Sequence, residues 1–266
     1  MGVFQNHLMG AAAAAAAGSG GFYGYQIEQS CKMTKSGSSY LRMTQGTPTS
    51  TTTCTWSMWV KRHGPIPAGH NINNVFITLG NSGSQYVFIG FNVSTADALK
   101  QDWQTSPGAA TTDAKFRDTS AWNHFVFRYD STESTEADRY RWYLNGNQLS
   151  FASQAAISED ASFSQLGSGN YIGHGYLSWA QGADVYLAEV HFCDGQSYAP
   201  SQFGETKNGV WIPKDPSGTT YGNNGYYLKF ENASDLGNDS SGNNNDLTAS
   251  GLGTDHQVLD SPTFGS

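Results

Sequence analysis

After residue 24, the chain consists of short apolar runs separated by turn-forming residues. Trp56, Met58 and Val60 alternate with other residues and therefore share one face of a predicted strand. Residues 74–79 and 86–91 form two further runs, and the Gly/Asn/Ser loop between them is typical of a hairpin. Alternation with a period of two residues predicts β-strands rather than helices.

The clearest alternation lies between residues 122 and 151. Two predicted strands each carry large apolar residues on one face: Phe125, Phe127 and Tyr129 on the first, and Tyr140, Trp142 and Leu144 on the second. Asn145-Gly146 then predicts a tight turn, because both residue types tolerate positive φ. Further strands are predicted at residues 185–192 and 226–230, and one short helical turn within 196–204. Roughly a dozen strands at this spacing predict an all-β, two-sheet antiparallel sandwich of the jelly-roll type.

The two ends of the chain differ from the middle. Residues 1–24 include seven consecutive alanines, which favour a short helix, followed by a Gly/Ser hinge. Such a helix is marginal alone, so this segment is either a disordered tail or an anchor that becomes ordered on a partner. Residues 233–266 begin with a stretch rich in Asn, Asp, Ser and Gly, which predicts a loop or extended tail. The predicted organisation is an arm (1–24), a sandwich (25–232) and a tail (233–266). The predicted docking residues of the arm are Phe4, Leu8, Met9, Ala11, Ala14 and Ala17.

Composition and charge exclude several classes of function. The net charge is −8 and no cluster of Lys or Arg is present, which argues against nucleic-acid binding. No basic segment precedes the alanine run, so it does not read as a secretory signal, and it is too short to insert across a membrane. We therefore expect a mature, soluble chain. The three cysteines, Cys31, Cys54 and Cys193, are predicted to be buried thiols, with a Cys31–Cys54 bridge as the alternative.

Three ordered segments carry a resemblance to a known family. They are residues 122–130, residues 141–149, and the pair 171–173 and 187–192. Together they resemble the strands of the concanavalin A-like, laminin-G-like jelly-roll superfamily, over roughly residues 25–232. The resemblance implies a sandwich used for glycan binding, and it brings in glycan-cleaving enzymes and calcium as alternatives to be weighed.

A second resemblance concerns segments that lie mostly outside the central strands. Residues 5–9, the alanine run, and residues 26–30, 203–205, 208–214 and 235–243 resemble structural proteins of marine tailed phages. This resemblance implies a virion protein, such as a fibre, spike or head-decoration component, whose partners are other phage structural proteins. It also implies a homo-oligomer, with a trimer favoured, because virion appendages are symmetric.

Catalysis would require a pair of carboxylates on the strand that resembles the active-site strand of the glycan-cleaving relatives. Retaining glycosidases need two carboxylates about 5–5.5 Å apart. Here Glu189, His191 and Cys193 share one face, and Asp194 points to the other. The second carboxylate is missing, so we predict that the chain is not an enzyme. Glu189 and His191 are predicted to form a hydrogen-bonded pair rather than a catalytic one.

Calcium is a candidate cofactor only through the resemblance. Carboxylates occur at predicted strand ends and in the tail, at Asp130, Asp184, Asp194, Asp235, Asp239 and Asp246. Hard cations prefer several such oxygen ligands on loops. The spacing of an EF-hand is absent, and these residues are predicted first as solvated loop carboxylates, so metal binding stays open.

Aromatic residues beside predicted loops supply the remaining candidate site. The candidate ligand-binding residues are Trp103, Tyr171, His174, Tyr176 and Trp179. Exposed aromatic rings stack on the apolar faces of sugars, although packing against the core or a neighbouring subunit is the alternative. The leading hypothesis is a virion protein that displays a lectin-like sandwich. The alternative is a module that binds a host surface glycan, and an active glycanase is the least favoured.

Overall fold

In the computed structural model of this chain, the described residues are 21–35, 39–64, 74–82, 85–92, 97–103, 108–173 and 182–263. The predicted docking residues of the arm, Phe4, Leu8, Met9, Ala11, Ala14 and Ala17, lie outside these ranges. The described residues form two antiparallel sheets packed face to face, which confirms the predicted all-β sandwich.

The first sheet contains eight strands in the order β10-β9-β8-β3-β13-β1-β18, with β16 pairing separately with β13. Its strands are β1 (Ser30–Met33), β3 (Thr53–Arg62), β8 (Asn123–Asp130), β9 (Tyr140–Leu144), β10 (Asn147–Gln148), β13 (Val185–Asp194), β16 (Tyr226–Leu228) and β18 (Gln257–Val258). β3, β8 and β13 form the centre of this sheet.

The second sheet also contains eight strands, in the order β11-β7-β6-β5-β4-β12-β2-β17. Its strands are β2 (Tyr40–Thr44), β4 (Asn74–Ser82), β5 (Gln85–Asn92), β6 (Ala98–Trp103), β7 (Ala110–Lys115), β11 (Phe151–Gln154), β12 (Gly169–Ile172) and β17 (Thr248–Ser250). A separate hairpin is formed by β14 (Gly204–Lys207) and β15 (Val210–Pro213). The predicted hairpin of residues 74–91 is confirmed as β4–β5.

The main core lies between the two sheets, and alternation along each strand decides which side chains enter it. The predicted one-faced sets are confirmed, because the following side chains pack together or against this core: Trp56, Met58, Val60, Phe125, Phe127, Tyr129, Tyr140, Trp142 and Leu144. All three cysteines are buried and free, as predicted, and no Cys31–Cys54 bridge forms.

The turn between β9 and β10 is the one the sequence predicts. Asn145 and Gly146 have φ of +47° and +81°, which matches the twist of a two-residue hairpin. A Cβ on Gly146 would lie 2.5 Å from the indole ring of Trp211. Glycine is therefore required here both for the turn and for the close approach of the β14–β15 hairpin.

A β-bulge interrupts β13 at Glu189. The pairing of β13 with β3 shifts between Ala188, opposite Trp59, and His191, opposite Ser57, so one extra residue is accommodated. Glu189 takes a positive φ of +48°, which a residue with a side chain rarely adopts. The bulge lets Ala188, Glu189 and His191 all face outward from the sandwich.

The tail is part of the sandwich, so the predicted domain boundary at residue 232 is wrong. β17 extends the second sheet beside β2, and β18 extends the first sheet beside β1. Leu236 and Leu247 are in the main core. The stretch between 232 and 246 reads as a free tail because its side chains are polar, but those side chains hydrogen-bond the backbone of a compact loop.

Helical structure is limited to single turns in the described residues. Four 3₁₀ turns occur, at Glu136–Asp138, Ser164–Gly167, Pro200–Gln202 and Thr254–His256. The third confirms the helical turn predicted within residues 196–204. In the described part of the chain, no helix has the length and apolar character needed to cross a membrane.

Two leucines test whether the tail is integral to the fold. Leu247 is 2% exposed, whereas Leu259 is 63% exposed. We expect Leu247→Ala to lower the free energy of unfolding by about 2–5 kcal/mol, because it leaves a cavity in the core. Leu259→Ala should change it by less than about 0.5 kcal/mol. Chemical denaturation measures both values, and equal, small effects would contradict an integral tail.

Candidate functional site

Asp239 fixes the Asn/Asp-rich loop of residues 239–246, here named the asparagine loop. One carboxylate oxygen accepts hydrogen bonds from the backbone N–H groups of Tyr227 and Ser241, both at 2.8 Å. The other accepts the N–H of Asn245 at 2.9 Å. An ionised carboxylate forms strong hydrogen bonds with backbone donors, so this one residue ties the loop to β16 and closes it on itself.

Two asparagine side chains hold the loop of residues 222–225 against the asparagine loop. The amide nitrogens of Asn243 and Asn245 each donate to two backbone carbonyl groups of that neighbouring loop, at 2.7–3.0 Å. Asn244, between them, has φ of +58° and an exposed side chain. The loop is thus held in one conformation while Asn244 remains available to a ligand.

An open pocket of about 440 Å³ lies between the asparagine loop and the edge of the second sheet, and we name it the edge pocket. The residues that matter most to its chemistry are Tyr40, Arg42 and Thr44 on β2, Asn244 and Asp246 on the loop, and Ser250 on β17. The pocket therefore combines an aromatic ring, a guanidinium group, an amide, a carboxylate and hydroxyl groups.

The strand register explains why these side chains meet. Residues 40, 42 and 44 alternate with Leu41 and Met43, which are in the main core, so the three face outward from the second sheet. β17 pairs antiparallel with β2, which places Thr248 opposite Arg42 and Ser250 opposite Tyr40. This outward polar row was visible in the sequence as polar positions between buried ones, but our predictions did not single it out.

Tyr171, one of the predicted ligand-binding residues, lies beneath this pocket rather than in it. It is 1% exposed on β12 and pairs with Arg42 on β2. The central guanidinium carbon of Arg42 is 5.4 Å from the centroid of the Tyr171 ring, and the Tyr40 ring centroid is 5.9 Å away. Tyr171 is therefore a buried support for Arg42, and the prediction of an exposed stacking ring is wrong for this residue.

The side chains of the other predicted ligand-binding residues lie outside the described part of the structure. Trp103 ends β6, but its side chain is not among those described. His174, Tyr176 and Trp179 lie in the segment 174–181, outside the described residues. Their role in ligand binding stays a prediction.

A buried carboxylate lies on the opposite side of the molecule, on the outer face of the first sheet. Glu189 is 6% exposed. Its Oε2 accepts hydrogen bonds from the hydroxyl groups of Tyr25, at 3.0 Å, and Tyr227. The ring of His191 stacks on that of Tyr227 with centroids 4.1 Å apart. We name these four residues the tyrosine–carboxylate cluster.

The protonation of the cluster follows from its burial. Removal from water raises the pKa of Glu189 from its ordinary 4.5 to about 7, although the two tyrosine hydroxyl groups act to lower it. Burial also holds the pKa of His191 well below its ordinary range. A neutral His191 therefore shares a hydrogen bond of 2.9 Å between Nδ1 and the Tyr221 hydroxyl. The predicted hydrogen bond between Glu189 and His191 does not form, because Nε2 of His191 lies 4.0 Å from Oε2 of Glu189 and each side chain bonds tyrosine hydroxyl groups instead.

His124 is a second buried histidine on this face, and its neighbours identify its tautomer. The indole Nε1 of Trp211 can only donate, and it lies 3.0 Å from Nδ1 of His124. Nε2 therefore carries the proton and donates to the Ser57 hydroxyl at 2.8 Å. Burial lowers the pKa of His124 to about 3, which keeps the ring neutral and structural.

Several of the carboxylates considered as calcium ligands cap backbone groups, among them Asp239 and Asp246 of the asparagine loop. Asp194 is fully buried and accepts the N–H groups of Thr49 at 2.7 Å and Asn224 at 3.1 Å. Asp184 accepts the N–H of Lys35 at 2.9 Å. The prediction of solvated carboxylates is therefore wrong for Asp194. Within the ranges that the structure describes, no group of three or more His, Cys, Asp or Glu side chains is arranged to hold a metal ion.

Comparison with protein families identifies the sandwich. The family model described as "Concanavalin A-like lectin/glucanases superfamily" (Laminin_G_3) matches residues 35–197, more than half of the chain. This range contains β2 and most strands of both sheets, whereas the asparagine loop lies beyond it. No curated protein matches the chain.

Comparison with solved structures gives similar sandwiches at low identity. A heptameric SAP-like pentraxin from Limulus polyphemus is 13% identical, with a TM-score of 0.42, covering 67% of this chain and 81% of that one. The CBM40 of the Ruminococcus gnavus IT-sialidase, bound to alpha2,3 sialyllactose, is 12% identical with a TM-score of 0.39, covering 57% of this chain and 81% of that one. At this level, similarity concerns the fold alone.

Glu189 makes the stability of the protein depend on pH. Its pKa is raised in the folded state, so its contribution to stability is fully present below about pH 4.5 and is lost as pH rises to about 7. The whole shift corresponds to roughly 3 kcal/mol. We expect Glu189→Gln to remove this decline, so that the variant gains stability relative to the parent at pH 8.

The exposed Glu205 on β14 offers a matched control. Glu205→Gln should leave the pH profile of the parent unchanged. Thermal or denaturant unfolding between pH 4 and 8 measures all three proteins. An unchanged slope in Glu189→Gln would show that this carboxylate is not the group responsible.

Proposed function

Since the chain belongs to the concanavalin A-like lectin/glucanase superfamily, we propose that it is a non-catalytic carbohydrate-binding module and that its sugar binds in the edge pocket. The observation that carries this proposal is the chemistry of the pocket. An aromatic ring at Tyr40 stands beside the Arg42 guanidinium, with the Asn244 amide and the Asp246 carboxylate on the facing loop.

This combination suits the two sides of a sugar ring. A pyranose has apolar patches of C–H groups, which pack on an aromatic face such as that of Tyr40. Its edges carry hydroxyl groups that both donate and accept hydrogen bonds, for which Asn244 and Asp246 offer complementary partners. A volume of about 440 Å³ falls within the range of small-ligand pockets, about 300–1,000 Å³.

The loop that completes the pocket is ordered before any ligand arrives. Asp239 and the two asparagine side chains already bind the backbone of residues 222–225 and of the loop itself. Less conformational entropy is therefore lost on binding. A weak, polar ligand such as an oligosaccharide gains most from such preorganisation, because its individual hydrogen bonds contribute little net free energy.

The absence of catalysis is part of the proposal. Two features support it. Glu189 is covered by Tyr25 and Tyr227, and Asp194, at the end of the same strand, uses its carboxylate on backbone N–H groups. Turnover of a bacterial polysaccharide that is abolished by Glu189→Gln would overturn this part.

We further propose a virion location, as a fibre, spike or head-decoration component that assembles with other phage structural proteins as a homo-oligomer. This rests on the resemblance of residues 5–9, the alanine run and residues 26–30, 203–205, 208–214 and 235–243 to phage proteins. In the fold, residues 203–205 and 208–214 cover most of the β14–β15 hairpin, and residues 235–243 include part of the asparagine loop, so the support specific to assembly comes from the arm. Mass spectrometry of purified particles tests the location, and particles that lack this chain would exclude it.

Variants of Tyr40 test the proposed sugar site. On an oligosaccharide array, we expect Tyr40→Ala to weaken binding by up to about tenfold, since a stacked aromatic ring contributes on the order of 0.5–1.5 kcal/mol. Tyr40→Phe keeps the ring and should retain most of the affinity. Tyr23→Ala, which removes a half-buried tyrosine that is not among the residues lining the pocket, is the matched control.

The array is run with and without a chelator. We expect binding to persist without calcium, because Asp246 is the single carboxylate among the residues that line the pocket. Absence of binding by the parent chain to any neutral or acidic glycan would count against carbohydrate binding altogether. Equal losses in Tyr40→Ala and Tyr23→Ala would place the site elsewhere.

A further inference from the structure

We propose that the edge pocket selects sugars that carry an anionic group, a carboxylate or a sulfate, and that Arg42 is the residue that recognises this group. The inference rests on the proposed carbohydrate binding and gives it a ligand class. It is carried by the guanidinium group of Arg42, which has no carboxylate partner in the described structure.

Arg42 differs from every other arginine in the chain. The other five arginines each form an ion pair with a carboxylate: Arg62 and Arg117 with Asp97, Arg128 with Asp130 and Glu133, Arg139 with Glu159, and Arg141 with Asp138. In the described structure, the side chain of Arg42 forms neither an ion pair nor a hydrogen bond, and it contacts the Tyr171 ring. In a chain with a net charge of −8, an arginine without a carboxylate partner stands out.

The guanidinium is also partly desolvated. Its Nε is buried and lacks a hydrogen-bond partner, although the residue as a whole is half-exposed at the pocket. A buried donor without a partner costs free energy, so the guanidinium is incompletely satisfied within the protein. A guanidinium presents its donors as a planar fork that fits the two oxygens of a carboxylate, and it also binds sulfate oxygens.

The Arg42 side chain is positioned in advance. β2 is paired on both sides, with Arg42 opposite Tyr171 on β12 and Thr248 on β17. The central guanidinium carbon lies 5.4 Å from the centroid of the buried Tyr171 ring, and this cation–π contact stabilises the charge. Cation–π contacts of this kind stabilise an arginine without consuming its in-plane donors.

The same register separates the anionic group from the carboxylate of the pocket. Ser250 lies opposite Tyr40 and Thr248 opposite Arg42, so the chain direction carries Asp246 towards the Thr44 end. Asp246 also accepts the N–H of Asp239 at 2.8 Å, which holds it on the loop. An anionic group between Arg42 and Tyr40 therefore avoids Asp246, which is left to accept sugar hydroxyl groups.

The test compares three oligosaccharides of equal length by isothermal titration. They are a galacturonate tetrasaccharide, a sulfated galactose tetrasaccharide and the neutral galactose tetrasaccharide. We expect the full-length chain to bind at least one anionic ligand tenfold or more tightly than the neutral one. The carboxylate and sulfate arms identify which anion is recognised. The preference should shrink as salt rises, because the recognition is electrostatic.

Two variants assign the preference to Arg42. Arg42→Gln should lose the preference and bind the neutral and anionic ligands equally. Arg42→Lys keeps the charge but loses the fork, so it should retain part of the preference. Lys100→Gln removes a cation that pairs with Asp102 on the same sheet, and it serves as a matched control that should not change selectivity. A melting curve of each variant confirms that it is folded.

The outcomes separate this inference from the proposed function. Equal binding of neutral and anionic ligands by the parent chain overturns the anion selectivity and leaves carbohydrate binding in place. A preference that survives in Arg42→Gln overturns the role of Arg42. Failure of all three ligands, together with an empty array, overturns both.

Discussion

The carboxylate of Asp239 is the constraint on which the edge pocket depends. It accepts the N–H of Tyr227, which belongs to β16 in the first sheet, and the N–H groups of Ser241 and Asn245 in the asparagine loop. The loop then leads through Leu247, in the core, into β17 at the edge of the second sheet. One charged group therefore links the two sheets through a short loop. The position of Asn244 and Asp246 relative to β2 follows from this link, and so does the shape of the pocket.

The two outer faces of the sandwich have different physical roles. The outer face of the first sheet is largely covered, because Ile27 and the β14–β15 hairpin pack on Trp59 and Ala188. Its polar groups are consequently buried and must be paired within the protein. Glu189 therefore accepts hydrogen bonds from the hydroxyl groups of Tyr25 and Tyr227. On β2 of the second sheet, Tyr40, Arg42 and Thr44 stay at least partly exposed, and within the described residues no carboxylate pairs with Arg42. A functional site is therefore better sought at polar groups without partners, such as the Arg42 guanidinium, than at groups whose pKa is most shifted, such as Glu189.

The sequence predicted what depends on local periodicity. Phe125, Phe127 and Tyr129 were assigned to one face correctly, because a strand alternates with a fixed period. The tail was misread, because Asn and Asp in a loop that caps backbone groups have the same composition as a free linker. Tyr171 was misread because its burial comes from β2 and other neighbours distant in sequence. The unpaired state of Arg42 was also beyond sequence reasoning, since an ion pair depends on which carboxylates the fold brings near.

The net charge of −8 does not oppose an acidic ligand at Arg42. Charges on a protein surface are screened over about 8 Å at physiological ionic strength, so distant carboxylates contribute little at the pocket. The near field is that of Arg42, with Asp246 displaced along β2 by the strand register. Such a site gains affinity at contact range, where desolvation and the fork geometry act, and gains little from long-range attraction. An acidic protein with one unpaired arginine is thus suited to recognise an anionic sugar selectively without attracting polyanions in general.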